Sequence, residues 1–195
     1  MGTGEATMAI PREAERLWTA EDLLALGEEA RYELIEGRLV PMSPTGSLHG
    51  DLVAELTMIL RSFVRAHQLG RVLTGEVGFV LRRDPDTVRA ADIAFVRRER
   101  LPAGDLPRGF FEGAPDLVVE ILSPSDRYTD ILRKVGEWLE AGAAMVWVVD
   151  PEHHGVMVFR PDGTLRLLGE SDSLEGEEVL PGFRYPVGEL FSPLT

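Results

Sequence analysis

The stretch Asp116-Leu117-Val118-Val119-Glu120-Ile121-Leu122, closed by Ser123-Pro124-Ser125-Asp126, decides the fold. Val118 to Leu122 is an apolar run broken by one residue, the pattern of a central strand covered on both faces. The Ser-Pro-Ser-Asp turn stops it and opens a helix over about 126–141, where Ile131, Leu132, Val135, Trp138 and Leu139 form an apolar stripe. Met145–Val149 then reads as a second buried strand. Glu120 is the anomaly. A carboxylate inside such a run costs on the order of several kcal/mol unless it is protonated, paired or bound to a cation. From the run alone three readings stand: an arginine partner, a place at the strand's wet end, or a functional group.

Working outward, two more strands precede this one, Arg71–Leu81 and Arg89–Val96. The second repeats the anomaly at Asp92, which a strand-start turn would also explain. Before them, Leu48, Leu52, Val53, Leu56, Ile59, Leu60, Phe63 and Val64 recur at helical spacing up to about His67. The loop Ser43-Pro44-Thr45-Gly46-Ser47 ends in the expected N-cap. Tyr32–Ile35 and Arg38–Met42 around Glu36-Gly37 read as a β-hairpin, and Thr19 with Asp22 caps a short helix. Downstream, Val156–Arg160 and Leu165–Leu168 flank a Pro161-Asp162-Gly163 turn, and the tail returns through Pro181-Gly182-Phe183. The order α-β-β-β-α-β predicts an α/β fold, one mixed sheet with helices packed against it.

The 195 residues include no cysteine, so a disulfide framework, thiolate catalysis and Cys-ligated zinc are excluded. With 44% apolar residues the chain can bury a core. Its longest apolar run, Ala143–Val149, is too short to span a bilayer, and Glu5, Arg12, Glu13 and Glu15 stand where a signal peptide would be apolar. A cytoplasmic protein without membrane partners is expected. The formal charge of −13 opposes nucleic acid at first sight, yet Arg82, Arg83, Arg89, Arg97, Arg98, Arg100 and Arg108 form a basic band in the middle of the chain. That band is equally read as a solvated surface. Asparagine is absent, Gln68 is the only glutamine, and of twenty basic residues only Lys134 is lysine. The scarcity of thermolabile side chains fits a thermophilic source, although GC-rich codon usage explains it as well. The single lysine marks Lys134, because lysine is a compact charge whose pKa moves on burial.

Two carboxylates on neighbouring strands with a lysine nearby suit Mg²⁺ or Mn²⁺, which take oxygen ligands and keep several waters. Such a cation polarises a phosphodiester and activates water, and a lysine beside that water orients it. The ordered set Tyr32–Gly37, Ser43-Pro44 with His49, Ala91–Val96, Pro115–Ser125, Lys134, Trp147–Pro151 and Leu180–Phe183 resembles the Uma-type restriction endonucleases of the PD-(D/E)XK nuclease superfamily. The resemblance covers about Thr19 to Phe191. It implies a restriction-endonuclease-like core over about 47–150, within a single domain at 19–195 that follows a weakly ordered lead-in at 1–18. An N-terminal helix and hairpin and a C-terminal β extension flank that core. It also implies Asp92 and Glu120 as the acidic pair, with the backbone carbonyl of Ile121 facing the metal. Leu122 stands where the superfamily lysine falls, and the resemblance assigns that lysine to Lys134 on the following helix. Two departures are Ala91 in place of proline, and Trp138 where tyrosine is common, which removes any hydroxyl role there.

On the predicted helix Lys134 lies roughly 100° from the centre of the stripe, where a cleft position and a surface pair with Asp130 are equally open. His49, within the apolar stripe, reads as a satisfied core histidine. Other branches of the superfamily place a metal-binding histidine or glutamate on the corresponding helix. Glu33 either faces the cleft or pairs across the hairpin. The expected activity is metal-dependent phosphodiester hydrolysis, in DNA, by a homodimer that cuts both strands. A non-catalytic binding or scaffold module of the same fold is the alternative. A glycosidase acting through Asp92 and Glu120 fits poorly with 7% aromatic residues.

Overall fold

The computed structural model describes residues 16–27, 31–103, 106–124 and 126–192. Most of the expected lead-in (1–15), and Ser125 of the strand-closing turn, lie outside the described residues. Thr19 caps α1 (Ala20–Ala25) in a reciprocal box: its side chain accepts from the Asp22 N–H, and the Asp22 carboxylate accepts from the Thr19 N–H. The strands β1 (Tyr32–Ile35) and β2 (Arg38–Pro41) form the hairpin. Its turn residues Glu36 and Gly37 both have positive φ, 49° and 74°, as a two-residue hairpin favours. α2 (Ser47–Ala66) starts one residue earlier than its sequence suggests: Gly46 is the N-cap, without a side-chain bond, and Ser47 is already helical. Leu48 is exposed, whereas Leu52, Leu56, Leu60 and Val64 are buried.

The long β3 (Gly70–Arg82) and β4 (Thr87–Arg97) follow, then the short β5 (Phe111–Glu112), which was not expected, and β6 (Leu117–Ile121). α3 (Tyr128–Glu140) leads to β7 (Met145–Asp150), β8 (Gly155–Phe159) and β9 (Leu165–Leu168). The tail adds β10 (Ser173–Glu175), β11 (Arg184–Pro186) and α4 (Val187–Leu190). The expected α-β-β-β-α-β order is α2-β3-β4-β6-α3-β7, with β5 inserted. The main sheet runs β2-β1-β4-β6-β7-β8-β9, with β3 on β4 and β5 on β3. It is mostly antiparallel. β6 and β7 are parallel because α3 carries the chain back across the sheet.

α2 packs Leu52, Leu56, Leu60 and Val64 against Ile93, Phe95, Val119 and Trp147 on one face, where Leu174, Leu180, Phe183 and Val187 of the tail join it. α3 sets Val135 and Trp138 against Ala94, Val118, Val146 and Val148 on the other. This double cover explains the unbroken apolar character of β6 and β7. A smaller cluster of Ala20, Leu23, Leu34, Val80 and Val88 attaches α1 and the hairpin. No helix among the described residues is long and apolar enough to cross a membrane.

Candidate active site

β3 follows one edge of β4 along its length, so β1 and β6 must share the other edge. β1 meets it at Val88 and β6 at Ile93–Phe95. Between them Arg89, Ala90, Ala91 and Asp92 pair with no strand on that side. Buried backbone groups need partners, and here side chains supply them. The Ala90 N–H donates to Glu33 Oε1 (3.0 Å), and the Ala90 carbonyl accepts from Lys134 Nζ (2.8 Å). On the facing strand the Ile121 N–H donates to Asp92 Oδ2 (2.7 Å). Continuing the Ile93–Val119 register places Asp92 opposite Glu120. Across β4 from Asp92, β3 carries a bulge at Gly75-Glu76, both at positive φ, and Thr74 Oγ1 donates to the Asp92 carbonyl (2.9 Å).

Glu120 is 5% exposed. Its Oε2 accepts from Lys134 Nζ (2.9 Å) and its Oε1 from the Trp138 indole N–H (2.9 Å). Burial pushes its carboxyl up, Lys134 pulls it down and Asp92 pushes it up again, leaving it at about 7. Lys134 thus faces inward, and Asp130 pairs with Arg133 instead (2.9 Å). Burial disfavours the ammonium of Lys134, but Glu120 and Glu33 outweigh that and hold its pKa above the ordinary lysine value. Glu33 lies 3.4 Å from Lys134 Nζ and accepts from Arg89 Nη1 (2.6 Å), and Arg89 Nε donates to Glu137 (2.5 Å). Burial would raise the Glu33 pKa, but Lys134 and Arg89 bring it below the ordinary value. From α2, His49 Nε2 sits 3.1 Å from Asp92 Oδ2, a bond that raises the imidazole pKa against the opposing effect of burial. His49 Nδ1 is buried without a hydrogen-bond partner.

Among the described residues no group of three or more His, Cys, Asp or Glu side chains forms a ready-made metal cage. The donor set nonetheless fits a hard divalent cation, which takes carboxylate oxygens and retains water in its remaining positions. Four carboxylates (Glu33, Asp92, Glu120, Glu137) are linked in this network to two cations, Arg89 and Lys134. Two negative charges are therefore in excess when all are ionised. The raised pKa of Glu120 comes first from its burial, with the nearby Asp92 carboxylate adding to it.

All five side chains singled out in the sequence, Asp92, Glu120, Lys134, His49 and Glu33, fall in one contact network at the middle of β4 and the C-terminal end of β6, where Ile121 closes the strand. Sequence reasoning missed Arg89, the Ala90 backbone and Glu137, and took Trp138 for a lost polar group when its N–H serves as a donor. The only signal for Arg89 was its place in a strand destined for burial. Much of the basic band is paired: Arg82 with Glu36, Arg83 with Glu21, Asp86 and Glu112, and Arg97 and Arg100 with Asp116.

A crystal structure described as a "putative nuclease belonging to DUF820" from Anabaena variabilis is similar in fold, with a TM-score of 0.78 at 24% identity. The match covers 89% of this chain and 97% of that one. No curated protein matches the chain. Residues 20–188 match the Uma2 family, described as "Putative restriction endonuclease", and the chain therefore belongs to that family.

Proposed function

We propose that the chain is a metal-dependent endonuclease that hydrolyses phosphodiester bonds in DNA. Asp92 and Glu120 hold Mg²⁺ or Mn²⁺, together with the backbone carbonyl of Ile121. When bound, the cation supplies Lewis-acid activation of the phosphodiester and of an attacking water. Lys134 positions that water and offsets negative charge developing on the phosphate. His49 steadies Asp92 through Oδ2, and the Trp138 N–H steadies Glu120 through Oε1. The observation that carries this reading is the buried Glu120, beside the half-buried Asp92, with Lys134 Nζ 2.9 Å away.

The first test is the melting temperature with and without millimolar Mn²⁺, for wild type beside Glu120→Ala. A ligand at one hundred times its Kd stabilises the native state by about 2.7 kcal/mol, so wild type should shift and the variant should not. Plasmid cleavage in Mg²⁺ follows, with Lys134→Ala expected to lose about 10²-fold or more in rate. Cleavage that survives Asp92→Ala sinks the assignment. Cutting both strands calls for two such sites, so the active species is proposed to be a homodimer, to be checked by light scattering.

A second reading, a catalytically inactive module of this fold, is favoured by one observation: both Glu120 oxygens are already hydrogen-bonded within the chain. It predicts no stabilisation by divalent cations and an apo stability that Glu120→Gln leaves unchanged or raises.

A further inference from the structure

Lys134 is the only lysine in the chain. Two carboxylates meet its ammonium, Glu120 from β6 at 2.9 Å and Glu33 from the hairpin at 3.4 Å. Glu33 is itself fixed from two elements, β4 and α3. Its Oε1 accepts the Ala90 N–H (3.0 Å) and its Oε2 accepts Arg89 Nη1 (2.6 Å), while Arg89 Nε is tied to Glu137 of α3 (2.5 Å). Glu33 and Arg89 are 9% and 4% exposed. An exposed ion pair so arranged would constrain little. A buried pair hydrogen-bonded on both sides sets a position. Ala90 does the alignment: its N–H fastens Glu33 and its carbonyl fastens Lys134, side by side on one residue of β4.

The geometry points to Glu33 as a positioning residue that keeps the Lys134 ammonium on the Ala90 carbonyl once the charge of Glu120 is taken up by a cation. The inference rests on the nuclease reading for the event that occupies Glu120; the hold itself belongs to the chain. With Glu120 free, two carboxylates share one ammonium. When Glu120 is neutralised, Lys134 loses its nearer partner, and Glu33 is the negative charge left in contact with it. The hairpin, which lies outside the α-β-β-β-α-β core, is thereby part of the site.

The single lysine makes the test direct. Lysine-selective ¹⁵N labelling yields one side-chain ammonium resonance, whose exchange with water reports whether Lys134 stays hydrogen-bonded. Glu120→Gln removes the charge of Glu120 without any metal. In that variant the resonance should persist with exchange close to wild type. In Glu120→Gln/Glu33→Gln exchange should accelerate by about tenfold or more, as expected for losing a charge-assisted hydrogen bond. Equal exchange in the two overturns the proposal. Should the double variant fail to fold, Glu33→Gln alone, titrated with Mg²⁺, decides. Exchange should accelerate on adding Mg²⁺ in Glu33→Gln and not in wild type, and an identical response in both overturns the hold. Absence of any Mg²⁺ stabilisation of wild type defeats the nuclease reading instead, and leaves the metal-free comparison to judge Glu33.

Discussion

Glu120 is held by two donors of different kind, a lysine ammonium on one oxygen and a neutral indole N–H on the other, and their removal has separable consequences. Trp138→Phe keeps an aromatic ring in a fully buried position but deletes the N–H. Leaving a buried acceptor without its donor costs about 1–3 kcal/mol, and filling the smaller volume imperfectly adds to that. The loss, read from urea denaturation, should be larger above pH 7 than below it, because an ionised acceptor gains more from its donor. The same carboxyl makes apo stability depend on pH. Its folded pKa of about 7 lies above the ordinary 4.5, so the native state binds its proton more tightly than the unfolded chain. The associated stability is fully present below 4.5 and is lost as pH rises through about 7. In EDTA the melting temperature of wild type should therefore fall relative to Glu120→Gln across that range. A difference that stays flat with pH contradicts the shifted pKa.

The elements differ in how far they were legible. β6, β7 and α2 could be read because burial on a face imposes a period or an apolar run, and Val118–Leu122 carried both the strand and its anomalous glutamate. The start of α2 was misplaced by one residue because Ser47 has the chemistry of a cap, whereas the backbone turns at Gly46. β10, β11 and α4 are three or four residues long, too short to show any period. Periodicity also left Lys134 on the boundary of α3; what turns it inward is the Ala90 carbonyl exposed by the missing ladder on β4. That window is a property of strand order, and its contacts join residues as far apart as Glu33 and Ala90, 57 positions along the chain. The hairpin's contribution is thus tertiary. β1 pairs with β4 at Leu34–Val88, and Leu34 is 0% exposed among Ala20, Leu23, Val80 and Val88. Leu34→Ala should cost about 2–5 kcal/mol. Measured on the folded variant well below its transition, amide exchange should rise in β1 and at Ala90 while β6 and β7 stay protected. Uniform loss of protection would mean that the hairpin and the core open as one unit.

Across the whole molecule the formal charge of −13 sets how a polyanion can approach. Long-range repulsion lowers affinity, and what attraction exists must come from local clusters and from a bound cation. Much of the central arginine band is unavailable: Arg83 alone serves Glu21, Asp86 and Glu112, and Arg89 is buried between Glu33 and Glu137. One concavity differs. Arg65, Arg71 and Arg98 line a hollow of about 330 Å³ with no acidic residue in its wall, and none of the three makes an ion pair among the described residues. Arg71 pairs with Val96, four residues along β4 from Asp92, or about 13 Å at roughly 3.3 Å per residue, so a duplex of roughly four base pairs at about 3.4 Å each spans both. If DNA is the substrate, duplex binding should be weak in EDTA, of the order of 10⁻⁴–10⁻⁶ M and steeply salt-dependent as non-specific contacts are, and should tighten with Mg²⁺ or Ca²⁺. Arg71→Ala should weaken it for every sequence and reduce the slope of log affinity against log salt by about 1. Arg83→Ala should leave that slope unaltered and lower stability instead, since its guanidinium is already committed to three carboxylates. Binding that is tight in high salt and EDTA, or a slope that responds to Arg83 and not to Arg71, would place the nucleic acid elsewhere on the surface.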